Sequence, residues 1–221
     1  MLGYATVAAS MTAGAAAASY VGLVTGACPL DLGIGRRARP LGPQLVEIAA
    51  PREVVFAIIA EPYLGRVPRA LAGKLQVLER GSDMVLAAHF TPLGVPFGGR
   101  LHGRLHGGLV AQTVETVRFT PPERVDFRLV RGPVPHVVEA FVLTEQPGKD
   151  GGGAGTTLAW QGELAADLWR LGQWWSGLVA SRWEQTVAAS LATLKVEAER
   201  RAAVAARRRP GPNHPPPTAG G

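Results

Sequence analysis

The sequence predicts an α+β domain in which a curved antiparallel sheet is closed by one long C-terminal helix. Two observations carry this. Between residues 44 and 164, short segments alternate apolar and polar residues and are separated by Gly and Pro turns. From Asp167 onward the apolar spacing switches to three and four.

Taken in order, Gln44–Ala49 reads as the first strand, and Pro51 opens a helix at the position where proline fits best. That helix, Arg52–Ala60, carries Val54, Val55, Phe56, Ile58 and Ile59 and is expected to end at Pro62. Tyr63–Leu71 reads as a second short helix before Gly73. Strands are then expected at Lys74–Glu79, Met84–Thr91, Gly99–His106, Val110–Phe119, Arg124–Arg131, His136–Glu145 and Thr156–Leu164. In the fifth of these, Val125, Phe127 and Leu129 share one face while Arg124, Asp126 and Arg128 share the other. Leu158, Trp160 and Leu164 likewise oppose Ala159, Gln161 and Glu163. One dry and one wet face is the pattern of an antiparallel sheet. Leu168, Leu171, Trp175, Val179, Trp183, Val187, Leu191 and Leu194 then mark one helix from Asp167 to about Arg200. Its stripe can be buried only against the dry face of the sheet.

The chain has 221 residues and a formal net charge of +6. From Pro40 to Leu194, 14 Lys and Arg face 14 Asp and Glu, so the excess lies in the two ends. A nucleic-acid reader carries its basic patch on the folded domain, and none is present. One cysteine, Cys28, excludes a disulfide framework and a cysteine zinc site. Residues 1–30 carry no charge, and Leu2–Ala27 is long enough for a transmembrane or membrane-anchoring helix. Thr6, Ser10, Gly14, Ala18, Gly22 and Gly26 recur every four residues, a small-residue face suited to self-association. A cleaved signal or a lipoprotein leader would need a basic start, which is missing. Arg36, Arg37 and Arg39 orient the span with the folded domain cytoplasmic. The expected organisation is therefore an anchor at 1–30, a basic linker at 31–43, a domain at 44–200 and a basic, then Pro/Gly-rich, disordered tail at 201–221.

Val46-Glu47-Ile48-x-Ala50-Pro51-x-x-Val54-x-Phe56-x-Ile58 resembles the opening of the START-like SRPBCC superfamily. Arg118-Phe119-x-Pro121-Pro122-x-Arg124-Val125-x-Phe127 is similar to its sheet centre, and the strand Gly155–Leu158 and the Trp-rich last helix also fit. The resemblance covers about residues 44–200 and implies the helix-grip fold, with two short helices after the first strand. It also implies a cavity between sheet and long helix, of the kind found in polyketide cyclase/dehydrase-type and lipid-transport members. The motifs are core and turn residues, and the superfamily shares no universal catalytic residue.

The expected cavity wall is Val125, Phe127, Leu129, Phe141, Leu158, Trp160, Trp175, Val179 and Trp183. Arg100, His102, Arg104 and His106 share one side of a strand. Residues four apart on a strand stand about 13 Å from each other, too far for one metal ion, so this reads as a wet face. Two candidates for proton transfer remain, Glu139 and His136. Glu139 shares a face with Val137, Phe141 and Leu143, and a carboxyl held there would have a raised pKa. The plainer reading has Glu139 paired with an arginine at the rim or lying on a wet face. No nucleophile–base pair, metal motif or cofactor fingerprint is present in the sequence. The expected partner is an apolar small molecule, lipid or polyketide-like, with no cofactor and no nucleic acid. Two function classes stay open: a membrane-tethered carrier, which the sequence favours, and a cyclase or dehydratase using Glu139 and His136.

Overall fold

The computed structural model describes residues 30–65, 67, 71–96, 108–147 and 154–208, with 15, 18–23, 25 and 28 from the N-terminal segment. Among them, seven strands form one antiparallel sheet in the order β1-β7-β6-β5-β4-β3-β2. The strands are β1 (Arg37–Ile48), β2 (Leu75–Arg80), β3 (Met84–Pro96), β4 (Gly108–Thr120), β5 (Arg124–Arg131), β6 (His136–Gln146) and β7 (Gly155–Ala166). Helix α1 (Arg52–Leu64) follows β1, and helix α2 (Trp169–Arg208) closes the chain. This is the helix-grip arrangement.

The strand centres follow the alternation, and the ends differ from expectation for local reasons. Strand β1 starts at Arg37, so the expected linker 31–43 is mostly strand, pairing Arg37 with Ala166 and Leu41 with Gly162. Its prolines, Pro40 and Pro43, are tolerated because β1 is an edge strand, and the register shifts between Leu41 and Gln44. Helix α1 continues through Pro62 to Leu64, since a proline in the last turn removes only one hydrogen bond. Tyr63 is thus the end of α1 and not the start of a second helix, and of the expected Tyr63–Leu71 helix residues 66 and 68–70 lie outside the described residues. Helix α2 runs to Arg208, eight residues beyond the expected stop. Its Ala-rich end favours helix, and Glu197 pairs with Arg200 and Arg201 one turn on. The expected strand Gly99–His106, with Arg100, His102, Arg104 and His106, lies outside the described residues, as does 209–221. Most of Leu2–Ala27 also does, and no helix among the described residues is long and apolar enough to cross a membrane.

The core lies between the concave face of the sheet and the two helices. Val85, Val117, Val125, Val137, Leu158, Trp160 and Leu164 are all inaccessible to water on that face. Helix α2 packs chiefly on β1, β7 and α1. Its most buried positions in the first half are Gly172, Ser176 and Ala180. This corrects the expected stripe. Close approach to the sheet edge selects small side chains, leaving Trp175, Val179 and Trp183 half-buried and Leu171 exposed.

Candidate functional site

Because α2 leans on one flank of the sheet, inward-facing residues farther across keep some accessible surface. His89, Phe119, Glu139 and Phe141 on the sheet and Trp175, Val179 and Trp183 on α2 are all half-buried. They face the space between the sheet and the long helix, which we read as a cleft. Phe127 and Phe141 meet edge to face at 5.5 Å on its floor.

Glu139 stands in this cleft. In the sheet it lies opposite Phe127 on one side and Gly162 on the other. A Cβ at Gly162 would meet the Val138 carbonyl oxygen first and come within 2.8 Å of the Glu139 Cβ, so the close pairing of β6 with β7 here needs glycine. Glu139 Oε2 accepts two hydrogen bonds, from Trp160 Nε1 and from Trp183 Nε1, each 2.9 Å. The carboxyl therefore ties the sheet to α2. Burial among apolar side chains raises its pKa to about 8, helped by the charge of Glu115 and opposed by the two indole donors. At neutral pH Glu139 is mostly protonated. With both indoles on Oε2, the proton belongs on Oε1.

A second polar group shares the same face. Glu115 on β4 is buried and lies opposite Leu129. His89 on β3 brings Nε2 within 3.8 Å of Glu115 Oε2, and that nitrogen is buried without a hydrogen-bond partner. Tyr63, from the end of α1, sets its ring 5.9 Å from the His89 ring and packs on Phe119 and Phe127. Burial, then the charges of Glu115 and Glu139, push the Tyr63 hydroxyl well above its ordinary pKa. Four ionisable side chains in an otherwise apolar cleft cost folding stability, and such clusters concentrate where a protein does chemistry.

The sequence-predicted residues divide cleanly. Val125, Phe127, Leu129, Leu158 and Trp160 are buried on the concave face, with Phe141, Trp175, Val179 and Trp183 half-buried at the cleft. Trp175 Nε1 also donates to the Pro133 carbonyl at 2.7 Å, tying α2 to the β5–β6 turn. Glu139 hydrogen-bonds two indoles, and no arginine pairs with it among the described residues. His136 lies on the opposite face of β6 from Glu139 and stands 3.6 Å from Glu163, so the structure does not bring the two candidates together. Glu115, His89 and Tyr63 were missed. Glu115 shares a face with Val117 and Phe119, but Thr113 leaves that face mixed in polarity, so the sequence alone did not mark it. No cluster of three or more metal-binding side chains occurs among the described residues.

No protein-family model and no curated protein sequence matches the chain. Its fold does match solved structures. One is an aromatase/cyclase, Zhui from Streptomyces sp. R1128, at 16% identity and TM-score 0.52, covering 75% of this chain and 95% of that one. Another is the di-domain ARO/CYC BexL of the BE-7585A biosynthetic pathway, at 15% identity and TM-score 0.53. That match covers 75% of this chain and 50% of BexL, so the chain spans about half of its length. At such identities the likeness establishes the helix-grip fold.

Proposed function

We propose that the protein binds an apolar, oxygen-bearing small molecule of polyketide-like size in the cleft and catalyses a cyclisation or dehydration on it. One observation carries this reading: the Glu139 carboxyl stands among apolar side chains, held on Oε2 by two neutral indole N–H groups, and burial raises its pKa to about 8. A protonated Glu139 can donate to a carbonyl or to a departing hydroxyl. His89 Nε2, buried beside Glu115 without a hydrogen-bond partner, is the candidate to accept the C–H proton, with Glu115 balancing the imidazolium charge. In a dehydration one C–H and one C–O bond break, a C=C bond forms, and water leaves with the proton from Glu139. The two structural neighbours are aromatase/cyclases, which is consistent with this chemistry.

A second reading has its own observation. Both Glu139 hydrogen bonds reach structural tryptophans, so the carboxyl also suits a pin between sheet and helix in a simple carrier. Binding of a polycyclic fluorescent probe, and turnover of an aromatic polyketide precursor, separate the two. In the enzyme reading, Glu139→Gln leaves probe affinity within about twofold and lowers turnover by roughly 10²–10⁴-fold. No turnover by the native protein would establish the carrier, and turnover unchanged by Glu139→Gln would remove Glu139 from the chemistry.

A further inference from the structure

Arg170, Trp174, Leu178 and Arg182 recur every four residues on α2 and make one outward stripe. Trp174 is 63% exposed and Leu178 51%, and Leu171 beside them is 61% exposed. The strap before β1 adjoins this half of the helix. Leu168 and Trp169 donate backbone hydrogen bonds to the Ile34 and Gly35 carbonyls, at 2.8 and 3.0 Å, and the Trp169 ring lies against Gly35. The strap adds exposed Leu30, Leu32 and Ile34. Tyr20 meets Trp175 edge-on at 6.0 Å on the same half of α2. Single exposed apolar residues are ordinary; a group drawn from two chain segments marks an interaction surface.

The arginines of the described residues divide into paired and unpaired ones. Arg36, Arg52, Arg118, Arg124, Arg200 and Arg201 each pair with a carboxylate. Arg37, Arg39, Arg170 and Arg182 are exposed and have no carboxylate partner among the described residues. Arg128, Arg207 and Arg208, away from this surface, are also exposed without a carboxylate partner among the described residues. Arg37 and Arg39 share the face of Leu41, the side of β1 turned towards α2. Between Trp169 and Trp183 the helix carries two arginines and no acid. A second copy of the chain would set these unpaired cations against their own kind across a two-fold axis.

We propose that this end of the molecule docks on an anionic lipid surface. Trp174 and Leu178 enter the boundary between headgroups and acyl chains, and the four arginines meet lipid phosphates. The surface is separate from the cleft and does not depend on the chemistry proposed there.

Sedimentation of the full chain with vesicles tests it, using phosphatidylcholine alone and phosphatidylcholine mixed with phosphatidylglycerol. Binding is expected to the anionic vesicles and to weaken as salt is raised. Arg170→Gln with Arg182→Gln should weaken it about tenfold or more. Trp174→Ser with Leu178→Ser should do the same, and both pairs are exposed enough to leave the circular dichroism unchanged. Equal binding to both vesicle types, or none to the anionic ones, overturns the proposal. So does unchanged binding in both double variants, which would place the affinity in residues 1–29. Light scattering that shows a dimer lost on Trp174→Ser with Leu178→Ser would make the occupant a second copy and overturn it as well.

Discussion

Glu139 and Asp167 are both carboxylates withdrawn from water, and their surroundings drive them to opposite charge states. Asp167 is covered by the strap, and its side chain is inaccessible to water. It accepts from Arg36 Nε at 2.7 Å and from the backbone N–H groups of Leu32 and Gly33 at 2.6 and 2.8 Å. The Arg36 bond, then the two backbone bonds, hold its pKa down to about 2. Glu139 lies among apolar side chains, faces another carboxylate and has only neutral indole donors, so its pKa rises to about 8. Being covered does not decide the charge of a carboxylate; its surroundings and the sign of its partners do. Asp167 is built to stay ionised and hold the strap against the start of α2. Glu139 is built to hold a proton where a ligand can reach it.

Removing the structural partner should have the larger effect on stability. Asp167→Ala leaves Arg36 and two backbone N–H groups without their acceptor. The expected loss is about 3 kcal/mol, the scale of a hydrogen-bonded charge group. For a chain of this size that lowers Tm by roughly 6–12 °C. Thermal melts at neutral pH measure it directly. A change of under about 1 °C would mean that the strap is not held through Asp167.

The sheet and the long helix were legible because both bury apolar residues at a fixed period. The cleft was half legible. Glu139 showed itself by sharing a face with Val137, Phe141 and Leu143. In β4 the two faces, Thr113-Glu115-Val117-Phe119 and Gln112-Val114-Thr116-Arg118, are both mixed in polarity. Only pairing across the sheet, Glu115 with Leu129 and Val117 with Phe127, shows which one is inward. His89 and Tyr63 meet from β3 and α1, 26 residues apart, and no local pattern reports such a contact. On α2 the large apolar residues drew the expected stripe, whereas the closest helix–sheet contact was made by Gly172, Ser176 and Ala180. Periodicity weighted by size overlooks a contact made by small residues.

The two carboxylates should also leave opposite marks on stability as pH changes. Asp167 has a folded pKa below its unfolded value, so its contribution is present above about pH 4 and is lost as pH falls through about 2. Glu139 has a folded pKa above its unfolded value. Its contribution is complete below about pH 4.5 and is lost as pH rises through about 8. Between pH 5 and 8 the native protein should therefore lose stability, on the order of 2 kcal/mol once water in the cleft is allowed for. Glu139→Gln should flatten that slope and leave the acid limb unchanged. Denaturant titrations at a series of pH values give both limbs. A Gln variant with the same alkaline slope as the native protein would assign the slope to other groups.

The smallest expected effect isolates the indole donors. Trp183→Phe keeps an aromatic ring on α2 and removes one of the two N–H bonds to Glu139 Oε2. Those bonds favour the ionised carboxylate, so losing one makes ionisation harder and moves the Glu139 midpoint upward from about 8. A hydrogen bond with a net contribution of about 1 kcal/mol corresponds to somewhat less than one pH unit. The midpoint can be followed by infrared difference spectroscopy of the carboxyl stretch, with Glu139→Gln identifying the band. Trp160→Phe should shift it in the same direction, since Trp160 donates to the same oxygen at the same 2.9 Å. A downward shift in either variant would mean that the rings act mainly by excluding water. Removal of the N–H would then be outweighed by solvent entering beside the carboxyl, and the contrast with Asp167 would rest on apolar surroundings alone.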